Sequence, residues 1–190
     1  PRPVRFCVSS GRGPEAWLAV APELEFKLDA GEAWDEARVA ALRALGRVRV
    51  ADIKAHYDGE VGLAGATAER MLELIAAGLP DVVIEDPPRT GWMNIKPSRF
   101  ATVAELLAAI AWCEARDVRL YGGGQFELGP GRRQIQELAA LCYPDGPNDV
   151  APGAYNAPVA AAGLPASPLD GFGRAPGFGA PARCAAAAAA

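Results

Sequence analysis

The sequence predicts an α/β protein with a largely parallel sheet, because short apolar runs alternate with helical patterns over most of the chain. Two of these runs end in an isolated charge: VVIED reaches Glu85 and MNIKP reaches Lys96. A third run, VRLY, ends in a glycine turn that opens onto a helix. Charged side chains at strand ends are typical of folds built from βα units, in which rigid strands hold the loops that carry the chemistry. The stretch from residue 82 to 141 therefore organises the rest of the chain.

The strand and helix signals follow one another along the chain. Apolar patterns predict strands at 4–8, 24–28, 48–53, 82–84, 93–95 and 118–121, with a shorter seventh signal at 148–151. Apolar residues at helical spacing predict helices at 33–45, 67–77, 102–116 and 131–141. Gly46 and Gly78 follow two of these helices, as C-cap glycines do. Thr67 is placed as an N-cap, and Thr102 with Glu105 predicts a capping box.

The connection between the fourth and fifth predicted strands is short. Only DPPRTGWM separates Glu85 from Asn94, whereas parallel neighbours need a crossover of roughly a dozen residues or more. We therefore expect that these two strands do not form an ordinary parallel pair. Either they form a hairpin, or one lies elsewhere, or a βα unit has been lost here.

Composition excludes several classes of protein. A net charge of −4 and a pI of about 5.1 argue against a nucleic-acid partner. No apolar run reaches the roughly 18 residues of a membrane span, and the first residues, PRPVRFCVSS, lack the apolar core of a signal peptide. The four cysteines are far apart and form no CxxC pair. We expect a cytoplasmic protein with one domain over 1–156 and a partly disordered, Pro-, Gly- and Ala-rich tail over 157–190.

Acids and lysines recur at the predicted strand ends. They are Lys27 and Asp29, Asp52 and Lys54, Glu85 and Asp86, Lys96 and, near the glycine turn, Glu127. Because the carboxyl ends of parallel strands converge on one face, we expect the carboxylates of Asp52 and Glu85 within about 8 Å of each other, close enough to share a cation. A single strand-end charge is more often a solvated loop residue, so only the set as a whole indicates a site.

Taken in order, Lys27, Asp52, Glu85 and Lys96 resemble the strand-end residues of the enolase superfamily's C-terminal barrel domain, on its muconate-lactonizing and o-succinylbenzoate synthase side. The resemblance covers roughly residues 4–156 and implies a TIM-barrel-like domain. It implies that Lys27 and Lys96 are opposing catalytic lysines in one cleft, and that Asp52 and Glu85 bind Mg²⁺. It also implies abstraction of the proton next to the carboxylate of a small substrate, in lyase, isomerase or racemase chemistry.

The segment GGGQFELGPGRRQIQ resembles the turn and helix that receive the substrate carboxylate in that superfamily. The substrate-binding residues implied are Gly122, Gly123, Gly124, Gln125 and Glu127. Backbone N–H groups at such a helix start suit an anion.

The chain departs from the family pattern in two places. The fifth strand with its third metal carboxylate is replaced by PPRTGW, and we expect no N-terminal capping domain. A second register stays open, because FKLDAGEAW also resembles the third-strand metal segment and would make Asp29 a ligand instead of Asp52. We expect an incomplete or open barrel of about six to seven βα units that binds Mg²⁺ weakly and covers its sheet edges with the tail or with a second copy.

Three function hypotheses follow from these residues. The first is an enolase-type enzyme with a small carboxylate-bearing substrate. The second is a catalytically impaired, non-enzymatic relic of such a barrel that retains residual anion binding. The third is a Schiff-base enzyme in which Lys96 or Lys27 is the nucleophile.

Overall fold

A computed structural model of the chain describes residues 3–9, 13–30, 34–53, 65–85, 91–124, 127, 130–157, 159–165 and 168–169. The chain divides into two compact units. The first unit comprises Cys7–Met93 and Asn156–Ala162, and the second comprises Pro1–Phe6, Asn94–Tyr155 and Gly163–Ala190. Of the predicted site and strand-end residues, Lys54, Asp86 and Gln125 lie outside the described residues, as do 170–190 of the predicted tail.

Strands and helices alternate through the described chain. In order, they are β1 (Val8–Ser9), α1 (Glu15–Leu18), β2 (Phe26–Asp29), α2 (Glu36–Leu45), β3 (Val48–Asp52), α3 (Gly65–Gly78), β4 (Val83–Glu85), β5 (Trp92–Ile95), α4 (Val103–Glu114), β6 (Arg119–Gly122) and α5 (Pro130–Cys142). The α/β class predicted from the sequence is confirmed. None of the described helices is long and apolar enough to cross a lipid bilayer.

The first unit is built on a four-stranded parallel sheet with the order β1-β2-β3-β4. The register shifts between Phe26 and Lys27, and this irregularity aligns Asp29 with Asp52 on the next strand. Asp52 is in turn aligned with Glu85. Because side chains of aligned residues on neighbouring strands point to the same side of a sheet, the register places these three acids in one row.

Helix α2 begins and ends where its caps dictate. The carboxylate of Asp35 accepts a hydrogen bond from the Arg38 N–H, so the helix starts later than the predicted residue 33. At its other end Gly46 adopts the left-handed conformation, with a φ of 61°. The prediction that Gly46 stops this helix is therefore confirmed.

Helix α3 corrects two cap predictions. The helix begins at Gly65, before Thr67, and it includes Gly78 as its last residue. Neither residue therefore caps it as predicted. The role of Gly78 lies in helix packing, because a Cβ at this position would overlap the Cγ1 atom of Val39 on α2. A glycine at this position lets the two helices pack closely, a tertiary requirement that local sequence patterns do not reveal.

In the second unit, β5 and β6 are hydrogen-bonded neighbours, and the Gly123 N–H donates to the Ile95 carbonyl. Helix α4 has the predicted N-cap, because Thr102 accepts from the Glu105 N–H at 3.1 Å. Glu105 reaches back to the Ala101 N–H at 3.1 Å, one residue before the Thr102 N–H that a capping box uses. Helices α4 and α5 both contact β6. Their inward faces form the core of this unit, which includes Ile95, Leu106, Ile110, Leu120, Ile135 and Val150.

Asn148 holds together the backbone segments of the second unit. It is completely buried, and its side-chain amide donates to the carbonyls of Arg5, Tyr143 and Gly146 at 2.9–3.0 Å. Its side-chain oxygen accepts from the Gly122 N–H at 2.6 Å. Asn148 also forms an isolated parallel bridge with Phe6, at the place where the seventh strand signal was predicted. The first predicted strand is therefore shorter than 4–8, because Phe6 and Val8 pair with different partners.

The strands on either side of the short connection belong to different sheets. β4 is an edge of the four-stranded sheet, whereas β5 pairs with β6. This confirms the prediction that the two strands do not form a parallel pair, and the reason is the length of the connection, which is too short for a crossover.

Candidate acid–base site

Three of the predicted site residues meet at the carboxyl ends of β2, β3 and β4. Lys27 lies two residues before Asp29 and therefore points to the same side of the sheet as Asp29 and its aligned neighbours. Its ammonium group lies 2.9 Å from Oε2 of Glu85 and 3.5 Å from Oδ2 of Asp52. The two carboxylates thus flank one nitrogen atom, and the prediction that they converge is confirmed.

This ion cluster is buried, which makes it unlike an ordinary surface salt bridge. The side chains of Lys27, Asp52 and Glu85 are only 6, 7 and 10% exposed. Phe26 and Leu28 on either side of Lys27 are buried on the opposite side of the sheet, so the backbone that carries the lysine is held in place. A buried charge is costly unless it is paired, and each member of this cluster therefore depends on the others.

The structure is compatible with the second register, in which Asp29 replaces Asp52 as the proposed metal ligand. It is aligned with Asp52 at the strand end, and in contrast to Asp52 it is exposed. Exposure is expected both of a residue that binds a ligand from solvent and of a surface residue with no such role. The structure therefore places both candidate aspartates in one row and does not choose a ligand between them.

The cluster as arranged does not fit a divalent cation. Asp52 and Glu85 offer the hard oxygen donors that Mg²⁺ prefers, but the space between them holds the Lys27 ammonium group. Within the part of the chain that the structure describes, no three His, Cys, Asp or Glu side chains are grouped as metal ligands.

Lys96 lies in the second unit, directly after β5, and is half-buried. Its carbonyl accepts a hydrogen bond from the Arg99 N–H at 3.0 Å and so begins the short turn Pro97–Arg99. Its assignment as a second catalytic lysine, pointing into the same cleft as Lys27, stays a prediction.

The glycine turn after β6 is closely packed by polar side chains. A Cβ at Gly123 would overlap the side-chain amide of Asn94, and one at Gly124 would come within 2.7 Å of Oε2 of Glu127. The N–H of Gly122 donates a hydrogen bond to the side-chain oxygen of Asn148. Of the substrate-binding residues proposed from the sequence, Gly122 thus ends β6, Gly123 and Gly124 follow it directly, and Glu127 lies beside Gly124.

Sequence reasoning missed Arg132, which lies in the first turn of α5. Its guanidinium group donates to the carbonyl of Ala151 at 2.7 Å and also lies close to Gly124. Burial lowers the pKa of Arg132, whereas the charges of Asp149 and Glu127 act in the opposite direction. The signal in the sequence was GRRQ at a helix start, but two adjacent arginines do not show which of them turns toward the glycines.

The fold and the ion cluster define an α/β domain with a buried lysine between two strand-end carboxylates. The chain belongs to the family described as "Domain of unknown function (DUF8230) C-terminal domain", whose sequence model matches residues 1–91 and 87–157. The two matched pieces meet in the short connection between β4 and β5. No curated protein matches the chain.

Among solved structures, the chain is similar to a crystal structure of a member of the enolase superfamily from Listeria innocua Clip11262. The TM-score is 0.59 at 17% sequence identity, and the match covers 80% of this chain and 51% of that chain. At this identity the likeness concerns the fold, which agrees with the resemblance seen in the sequence. This chain spans about half the length of its structural neighbour.

Proposed function

We propose that this chain is a proton-transfer domain of the enolase type, acting on the carbon next to the carboxylate of a small substrate. The observation that carries the proposal is the buried Lys27 between Asp52 and Glu85, at the ends of three neighbouring parallel strands. The similar fold of the enolase superfamily member supports the proposal. The family resemblance seen in the sequence supports it separately, because that resemblance implies a functional role for the same three residues. The reaction class is that of a lyase, isomerase or racemase.

Lys27 is the residue to which we assign proton transfer. Its ammonium group is held at a fixed place by two carboxylates, so it can return a proton to a carbanion or stabilise the negative charge that develops on the substrate. The resemblance implies Mg²⁺ at Asp52 and Glu85, where the ion would act as a Lewis acid. In the arrangement described above, that role would require Lys27 to move away.

The remaining site assignments belong to the same proposal. Lys96 is proposed as the second proton-transfer group, and the turn formed by Gly122, Gly123 and Gly124 with Glu127 as the substrate-carboxylate site. Arg132 adds a positive charge close to this turn. Gln125 is proposed from the sequence alone.

The finer description of the fold is also proposed. We infer a TIM-barrel-like domain that lacks the fifth-strand unit, supported by the separate sheets of β4 and β5 and by the division of the family match into two pieces that overlap at residues 87–91. A cytoplasmic location is supported by the free thiols of Cys113 and Cys142.

A second candidate function is a non-enzymatic relic of such a domain with residual anion binding. The observation that favours it is that Lys27 is already ion-paired with both carboxylates. A protonated lysine is not a base, so this cluster suits structural stabilisation as well as chemistry.

Exchange of the α-proton for deuterium separates the two candidates. The protein is incubated in deuterated buffer with a panel of 2-hydroxy and 2-amino carboxylates, and exchange is followed by NMR. We expect exchange with the wild type and a loss of at least about 100-fold with Lys27→Ala, since positioned acid–base groups contribute roughly 10²–10⁴-fold. Lys96→Ala tests the second lysine in the same way.

The matched control is Arg43→Ala, which removes an exposed positive charge from the last turn of α2 in the same unit. It should exchange at the wild-type rate. Binding of a carboxylate without exchange would support the relic, whereas equal exchange by the wild type and the Lys27→Ala variant would remove Lys27 from the mechanism.

A further inference from the structure

We infer that Lys27 supplies the cation of this site, so that its ammonium group and a divalent metal ion exclude each other between Asp52 and Glu85. The inference concerns ion binding and does not require the domain to be an enzyme. It runs against the Mg²⁺ site that the sequence resemblance implies, and the disagreement comes from where the lysine nitrogen lies.

The Lys27 ammonium group takes the position between the two carboxylates. The Lys27 nitrogen is within 3.5 Å of both carboxylates, and it is this inter-carboxylate position that a bridging cation would take. A metal ion placed there would lie almost on the nitrogen atom. Because β2 is paired with β1 on one side and β3 on the other, the lysine cannot withdraw by moving its backbone.

The charges point the same way. Lys27 offsets one of the two negative charges of Asp52 and Glu85, leaving a cluster of formal charge −1 among these three groups. Adding a divalent ion beside the ammonium group would bring like charges together where water is largely excluded, and that repulsion is strong. Without the lysine, two adjacent carboxylates would match a hard divalent cation and leave its remaining positions to water.

Direct titration tests the exclusion. Binding of Mg²⁺ to the wild type, Lys27→Ala and the control Arg43→Ala is measured by calorimetry, and Mn²⁺ binding by electron paramagnetic resonance. We expect no saturable binding to the wild type or to Arg43→Ala. Lys27→Ala should bind one ion saturably, with an affinity at least about tenfold above the weakest that the titration detects.

A double variant locates the ion that Lys27→Ala acquires. Lys27→Ala/Glu85→Gln keeps the space but removes one carboxylate charge, so the acquired binding should be lost. If Lys27→Ala is poorly folded without metal, its melting temperature should rise with Mg²⁺, because an ion that binds only the folded state stabilises it. The wild-type melting temperature should not respond to Mg²⁺ beyond a NaCl control of equal ionic strength.

Two results would overturn the inference. One is saturable Mg²⁺ binding to the wild type as tight as that to Lys27→Ala, which would show that the ion and the ammonium group coexist. The other is a Lys27→Ala protein that neither binds Mg²⁺ nor is stabilised by it. The metal titrations and the melting temperatures do not depend on the deuterium exchange assay. A negative exchange result would therefore contradict the proposed function without contradicting this inference.

Discussion

Replacing Lys27 by Met tests how much the protein depends on its buried ion cluster. The change keeps the length of the side chain and removes its charge, which leaves the carboxylates of Asp52 and Glu85 buried beside each other. Removing one partner of a buried ion pair typically costs about 3–5 kcal/mol, because the remaining charge is neither solvated nor paired. Here Lys27 faces two carboxylates at 2.9 and 3.5 Å with less than a tenth of its side chain exposed, so we expect a loss at the upper end of that range.

Urea unfolding followed by circular dichroism and tryptophan fluorescence measures this loss as a change in the free energy of unfolding. Both probes are needed, because two compact units need not unfold together. A compensating variant sharpens the test: Lys27→Met/Asp52→Leu/Glu85→Leu removes every charge of the cluster and should recover most of the lost stability. Arg43→Ala, an exposed control, should change it by no more than about 0.5 kcal/mol. A Lys27→Met protein within about 1 kcal/mol of the wild type would refute the reasoning, since the charges would then be effectively solvated.

Three further predictions concern the second unit, each read from urea unfolding. Asn148→Ala should cost about 3 kcal/mol, because it removes the four hydrogen bonds of a buried amide, at about 0.5–1.5 kcal/mol each; a loss below about 1 kcal/mol would mean that water replaces the amide. Tyr143→Phe should be neutral or stabilising, since burial raises the pKa of Tyr143 and its hydroxyl has no hydrogen-bond partner in the part of the chain described; a marked loss of stability would reveal a partner. Thr102→Ala should cost about 1 kcal/mol by removing the N-cap of α4, whereas Thr102→Ser should retain the cap; equal stability of the two variants would contradict the capping role.

The parts of the fold that depend on local sequence were predictable. Thr102 caps α4 through a bond to a residue three positions away, so the pattern and the structure carry the same information. The same holds for Gly46, whose left-handed conformation ends α2. Gly78 shows the limit, because its small size serves contact with Val39 on another helix, and a glycine after a helix pattern looks the same in sequence whether it caps or packs.

The ion cluster of Lys27, Asp52 and Glu85 was predictable as a set of positions but not as an arrangement. Period-two alternation and the parallel sheet place Lys27, Asp52 and Glu85 on one side of the strand ends. Which atom lies between the two carboxylates is a matter of side-chain conformation and charge, which no spacing encodes. Asn148 was missed for a related reason, because one of its partners, Arg5, is 143 residues away in the chain.

The most direct test of the account is a crystal structure of the wild-type protein soaked in Mn²⁺, with anomalous scattering used to locate the metal. The account predicts the Lys27 nitrogen between Asp52 and Glu85 and no anomalous peak at that position, and it predicts such a peak in Lys27→Ala crystals treated in the same way. A Mn²⁺ ion between the two carboxylates of the wild type, with the Lys27 side chain turned away, would contradict it.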